Sequence, residues 1–139
     1  MSLVSRKGVL AIAAVVDIAI NARHRPVSAK ALADRHNLPP RHLEPVLQAL
    51  VRDGILRGIR GPHGGYELAG EGSNITAEVI LRAATDPNES AAVPESVLVN
   101  DVVGPALAEA ERVFSAALSR INIDDLSRQA EAIKDLGPR

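Results

Sequence analysis

Between Pro40 and Asp53 the chain interleaves two kinds of residue. Leu43, Val46, Leu47, Leu50 and Val51 fall at the spacing that lines one face of a helix, which leaves Arg41, His42, Glu44, Pro45, Gln48 and Arg52 for the opposite face. The polar side chains of that second face suit the planar edges of nucleobases. An Arg fork matches guanine O6 and N7, a Gln amide matches adenine N6 and N7, and a Glu carboxylate accepts from cytosine N4, each good pair discriminating by about 1 to 3 kcal/mol. Glu44 is the costly member, because a carboxylate near phosphates needs a cytosine amine or an Arg to answer it. Pro45 has no N–H and no side-chain donor, so apolar contact, for example with a thymine methyl, is its one readout.

Other candidates flank this segment. Gly61-Pro62-His63-Gly64-Gly65 reads as a tight turn in which Gly61, Gly64 and Gly65 adopt positive φ, placing Arg60 and His63 within reach of a minor groove or its phosphates. Ser28 and Lys30 open one predicted helix and Arg6 and Lys7 another, where side chains and N-terminal amides together suit phosphate. Tyr66 reads as a residue that anchors the turn by packing rather than as a base-stacking platform.

The remaining chemistry is limited by composition. There are no cysteines, which removes disulfides, thiolate nucleophiles and every Cys-held metal site. The four histidines, His24, His36, His42 and His63, stand at helix ends and in loops without partners at ligand spacing, so neither a metal nor an enzymatic site is expected. Aromatic residues make up 1% of the chain, too few for single-strand stacking. The net charge of −1 conceals a partition: residues 1–72 carry ten Lys/Arg against six Asp/Glu, and residues 73–139 carry six against eleven. A basic front and an acidic back fit a module that meets phosphates joined to one that stays away from them.

The elements that must hold these residues follow from pattern. Val9, Ala13, Val16 and Ile20 mark a first helix over about 6–22. Ser28 caps a short second helix, with Val27 able to staple onto Leu32. Asn37 to Pro40 make a turn, the patterned segment is the third helix, and Gly54 stops it. Two short strands, Ile55–Arg60 and Tyr66–Ala69, bracket the Gly-rich turn. The fold class is therefore mainly α: a winged helix-turn-helix of three helices and a two-stranded wing over residues 1–72. In 73–139, Thr76 caps a connector helix over about 77–84, and 86–96 form a loop. A helix resumes by about Ala106, or begins around Val97 with Pro105 as a kink, giving a dimerisation helix over about 98–120. Asn122 and Asp125 resemble a capping box for a final helix, 123–136, ending at Gly137. The stretch Val9–Ile20 is too short to span a bilayer and is interrupted by Asp17, so a cytoplasmic protein is expected.

The segment LPPRHLEPVLQALVRDGILRGIRGPHGGYELA, residues 38–69, resembles the Rrf2 family of bacterial transcription regulators. The resemblance rests on Leu43-Glu44, on Leu50 and Gly54, and on the wing Arg60-Gly61-Pro62-His63-Gly64-Gly65-Tyr66. It extends back through PVSAKALADRH and forward through NITAEVILRAAT and INIDDL. It implies a homodimer in which the helix at 98–120 pairs with its twin, so that two winged helices read double-stranded DNA at a pseudo-palindrome. Val102, Leu107, Ala110, Phe114, Ala117 and Ile121 are the candidate dimer interface, and the alternative is an intramolecular hairpin with the final helix. Some members hold an iron–sulfur cluster on three cysteines in the preceding loop. Asp86, Glu89, Glu95 and Asp101 stand in that region here and read as solvated, so no cluster is expected. The reading is a dimeric DNA-binding repressor. Its alternatives are a winged helix used for protein contacts alone, and a DNA binder whose loop or dimer cleft takes a small effector.

Overall fold

The computed structural model describes residues 3–85 and 95–133. Helix α1 spans Arg6–Asn21, α2 Ala29–His36 and α3 Pro40–Arg52; strands β1 (Leu56–Ile59) and β2 (Gly65–Leu68) pair antiparallel, with Leu56 opposite Leu68 and Ile59 opposite Gly65. Helix α4 (Ala77–Ala84), a π turn (Val99–Val103), α5 (Gly104–Leu118) and α6 (Ile123–Ala132) complete the chain. The winged helix-turn-helix is thus present, with each element close to its expected bounds.

Each helix begins and ends for a local reason. The hydroxyls of Ser5, Ser28 and Thr76 accept from the amides of Gly8, Ala31 and Val79, and the Asn122 amide oxygen accepts from Asp125 N at 2.9 Å. The cap at Ser5 has no counterpart in the sequence expectations. Helix α2 ends on Asn37 in the left-handed region (φ 54°). Helix α3 ends on Gly54 (φ 78°), where Gly54 N reaches Val51 O and Ile55 N reaches Leu50 O, a Schellman closure.

The core gathers around α1, which packs against α3, α4, α6 and β2. Its inward face is Ala11, Ala14, Val15 and Ile18, all fully buried. The stripe expected from spacing was a different one: Val9 is 56% exposed, and Ala13, Val16 and Ile20 are half-buried. Helix α1 is apolar nearly all round, so periodicity does not select a face. The two small alanines that permit close approach do. Leu43, Val46, Leu47 and Leu50 of α3 are buried as expected, whereas Val51, at the last turn, is not.

Two further expectations are corrected. Pro105 produces a π turn instead of a simple kink: Gly104 N donates to Val99 O, five residues back, and Pro105 enters α5 in its first turn, where no N–H is required. Helix α6 ends at Ala132, because Ile133 turns to extended backbone; the expected stop at Gly137 lies outside the described residues. Most of the expected loop at 86–96 also lies outside them. The two halves of the chain are sewn together where Ala77 N donates to Ile121 O and Ile123 N to Ile75 O, so the caps of α4 and α6 face each other.

Candidate nucleic-acid interface

Burial of one face of α3 leaves Arg41, His42, Glu44, Pro45 and Gln48 exposed together on the other. Among the described residues none of these side chains has a hydrogen-bond or ion-pair partner, so their donors and acceptors are all available. Arg52, at the far end, is exposed but its Nε donates to Asp53 at 3.2 Å. Pro45 lies inside the helix, so Arg41 O loses its usual intrahelical donor on the outward-facing first turns.

The wing is set against this helix by a specific stitch. Val27 N donates to Tyr66 O at 2.9 Å and Tyr66 N to Val27 O at 2.8 Å, which fixes β2 beside the residue that precedes the Ser28 cap. Gly65 permits that approach, since a Cβ there would lie 2.4 Å from Val27 O. Gly61 has the expected positive φ (114°), but Gly64 does not; its requirement is space, because a Cβ would fall 2.1 Å from Ile59 O. Tyr66 is half-buried against the core, in keeping with packing. Arg57 is bound across the strands to Glu67 at 2.9 Å, whereas Arg60 at the wing tip is exposed and unpaired among the described residues.

The remaining candidates fall into two groups. Arg6, Lys7 and His42 line one groove where the start of α1 meets the start of α3; Lys7 is half-buried there and Arg6 is exposed. Ser28 and His63 line a second groove between α2 and the wing, together with Arg25, which the sequence reading overlooked for want of a helix or turn motif to place it. Ser28 Oγ is the α2 cap acceptor, so only its hydroxyl proton remains for a phosphate. Lys30 is exposed on the first turn of α2.

Charge pairing differs between the halves in degree: in the front, Arg23, Arg35, Arg52 and Arg57 are bound to Glu131, Asp17, Asp53 and Glu67. On α4, α5 and α6, Arg82, Arg112 and Arg128 each bind a carboxylate of their own helix, Glu78, Glu109 and Asp125. Arg6, Lys7, Arg25, Lys30, Arg41 and Arg60 have no such partner among the described residues. The unneutralised cations therefore gather on the α3 and wing side, with Arg120 the exception near the end of α5.

A network that the sequence reading did not foresee lies beneath this surface. Asp17, 9% exposed, accepts from Arg35 (Nη2 at 2.6 Å, Nε at 2.9 Å) and Asn21 (3.0 Å), and meets His36 Nε2 at 3.0 Å. The bond to Asp17 holds the Arg35 guanidinium above its ordinary pKa, against the opposing effect of burial. The network locks α2 to α1. Its signal was an Asp on an apolar helix with Arg-His closing the next helix.

With this geometry in view, comparison with known proteins is decisive. The model of the Rrf2 family, described as an iron-dependent transcriptional regulator, matches residues 4–129. The chain belongs to the Rrf2 family. It is 32% identical over 122 residues to a Synechocystis protein, slr0846, named as an HTH-type transcriptional regulator; the match covers 86% of this chain and 83% of that one. A Haemophilus influenzae protein named in the same way is 37% identical over 80 residues, and there the match covers 58% of this chain and 53% of the relative. The structure is similar to IscR of T. potens, with a TM-score of 0.75 and 28% identity over 96% of this chain and 92% of that one. The iron of the family's description does not fit the donors of this Rrf2 chain. It has no cysteine, and no group of three His, Cys, Asp or Glu among the described residues is placed to hold a metal. Among those residues no helix is long and apolar enough to cross a membrane.

The face expected to pair with a second Rrf2 chain is exposed at every expected residue but Phe114. Leu107 and Val102 are each 58% exposed, and Ala110, Ala117 and Ile121 are exposed with them. Phe114 instead is half-buried and turns into its own protomer, lining a groove with Leu3, Val4, Leu81 and Leu118. Val103 and Val113 take its place on the outer face. The reason is position along the helix: Phe114 shares its face with Leu107 and Ala110, but α5 meets its own protomer only near Phe114, Ser115 and Leu118, and the earlier turns project beyond it.

Proposed function

We propose that this Rrf2 chain is a sequence-specific, DNA-binding transcriptional regulator that acts as a homodimer in the cytoplasm. The observation that carries the reading is the unpartnered row Arg41, His42, Glu44 and Gln48 on α3, flanked by the wing that the Val27–Tyr66 stitch holds in place. Inserted in a major groove, α3 presents two potential bidentate readers, Arg41 and Gln48, while Arg60 and His63 reach the neighbouring minor groove and Arg6, Lys7 and Lys30 meet phosphates.

Support for the dimer comes from α5. Val102, Leu107 and Val113, each 58% exposed, form a contiguous apolar face with Val103 and Ala110, and a second copy would remove that face from water. Two-fold pairing then presents two α3 helices to successive major grooves, about 34 to 36 Å apart along the duplex. Occlusion of a promoter by the bound dimer is the proposed mode of action, which makes the protein a repressor, and no catalytic role is proposed. No cluster or metal takes part.

The test is fluorescence anisotropy of the protein on its own promoter fragment across a salt series. Wild type is expected to bind with sub-micromolar affinity that falls steeply with salt, Arg60→Ala to lower the salt slope by about one, and Gln48→Ala to lose roughly 1 to 3 kcal/mol of discrimination at one position of each half-site. Failure of any genomic fragment to bind above background would transfer the exposed face to protein contacts.

A further inference from the structure

Helix α1 packs against α3, α4, α6 and β2, and among the described residues a groove of about 570 Å³ stays open between α1 and α6. Its walls are Val16 and Ile20 of α1, Leu126 and Ala130 of α6, and Ile133 just past the end of α6. The volume lies within the range of about 300 to 1,000 Å³ typical of small-molecule sites. One rim of this apolar slot is polar and ordered: Asp17, Asn21, Arg35 and His36 border it, with Gln129 opposite.

The rim has a direction of charge. Arg35 gives Nε and Nη2 to Asp17, which leaves Nη1 without a partner among the described residues, on a side chain still 34% exposed. Asp17 is committed to three neighbours and is only 8% exposed at its side chain, so it offers little to a ligand. A guanidinium held in a fixed plane by a buried carboxylate is a prepared receptor for a second carboxylate. Gln129 adds an amide donor. Apolar walls with a single guanidinium at one end suit an amphipathic monocarboxylate, whose one negative charge that guanidinium answers.

We propose that the α1–α6 groove is an effector site for a small amphipathic carboxylic acid, its apolar body between Val16, Ile20, Leu126 and Ala130 and its carboxylate on Arg35. Arg35 and His36 close α2, the helix that also carries the Ser28 cap and Lys30 on the DNA side. A carboxylate on the free Nη1 shares the Arg35 charge with Asp17 and weakens that bond, which lets α2 shift on α1 and moves the phosphate contacts of α2 relative to α3. Binding stands on the groove alone; its effect on DNA rests on the regulator reading.

The experiment titrates the full chain with octanoate, 3-phenylpropionate and the uncharged octanamide, read by amide chemical shifts. Saturable shifts at Asp17, Ile20, Asn21, Gln129 and Ala130 are expected with at least one acid, with a dissociation constant of about 1 mM or tighter for some ten heavy atoms. Octanamide is expected to bind at least about tenfold more weakly. Ala130→Trp, which fills the slot without touching the Asp17 network, is expected to abolish the shifts while keeping the thermal midpoint; Arg35→Gln is expected to erase the preference for acid over amide. No saturable shift with either acid, or equal binding of the amide, overturns the proposal. So does a dimer that dissociates in Ala130→Trp, since a second copy would then occupy the groove. In parallel, the acid that binds is added to the DNA titration, where a several-fold change in affinity is expected. Binding of the acid with no DNA binding at all would defeat the regulator reading and leave the site intact; DNA binding insensitive to a bound acid would defeat the effector role.

Discussion

The Asp17–Arg35 pair predicts an asymmetry between its two partners. Arg35→Ala leaves a carboxylate that is 8% exposed at its side chain with only Asn21 and His36 to answer it. Removing one partner of a buried pair costs about 3 to 5 kcal/mol, and the two surviving bonds place this case near the low end, about 3 kcal/mol. Asp17→Ala instead releases Arg35, 34% exposed, and His36, 25% exposed, both able to turn to water. That loss is expected at about 1 to 2 kcal/mol, the net value of a few charge-assisted bonds. Urea unfolding followed by far-UV circular dichroism at fixed protein concentration separates the two, and a difference of about 1.5 kcal/mol corresponds to roughly 5 °C in midpoint. The pH dependence has a definite sign. A cation whose folded pKa is raised contributes its full stabilisation below its unfolded pKa and loses it only as pH rises through the folded value. Both lie above the range in which the protein would be assayed, so the deficit of Arg35→Ala is expected to stay constant between about pH 7 and pH 10. An Asp17→Ala variant at least as unstable as Arg35→Ala would refute the reasoning.

Other outcomes follow from geometry already described. Gly64→Ala forces a Cβ onto Ile59 O, so the wing must open, and its DNA affinity is expected to fall at least tenfold while the melting of the helical core changes little; anisotropy and thermal unfolding read the two effects. Leu107→Asp combined with Val113→Asp places charge on the exposed face of α5, and sedimentation velocity is expected to show a monomer that keeps the circular dichroism of wild type. Because the chain has no cysteine, mild thiol oxidants and reductants are expected to leave DNA affinity unchanged, measured in the same anisotropy assay; a clear redox response would point to a bound group that the side chains do not predict.

Much of this molecule was legible in its residues because the decisive signals are local. The 3, 4, 7 spacing in α3, the caps Ser28 and Thr76, and Gly54 at the end of α3 each depend on chemistry within one turn, and each element appears where those residues place it. Helix α1 was misread because its sequence is apolar on every side, so its inward face is chosen by neighbours more than fifty residues away, Ile80 on α4 and Ile123 on α6. The half-burial of Phe114 was not legible for a related reason: it shares a helical face with Leu107 and Ala110, and which turn of that face meets the protomer is decided by Leu3, Val4 and Leu81, far away in sequence. At the candidate interface, the exposed α3 residues were readable from the buried ones. Arg25 and the Asp17 network were not, since both arise from contacts between segments that periodicity treats separately.

The stitch between Val27 and Tyr66 has a consequence for how an operator is distinguished. Because β2 is hydrogen-bonded to the approach of α2, and α2 is held to α1 by Asp17, the wing and α3 move as one die with a fixed imprint. Such a die has little freedom to adapt to a half-site of different shape. In the proposed dimer the adjustable quantity is then the separation and tilt of two dies carried on paired α5 helices. Operators with altered half-site bases should lose about 1 to 3 kcal/mol for each changed contact wherever the dies are set, whereas those differing by a base pair of spacer should lose affinity according to how far the two dies must be wound apart.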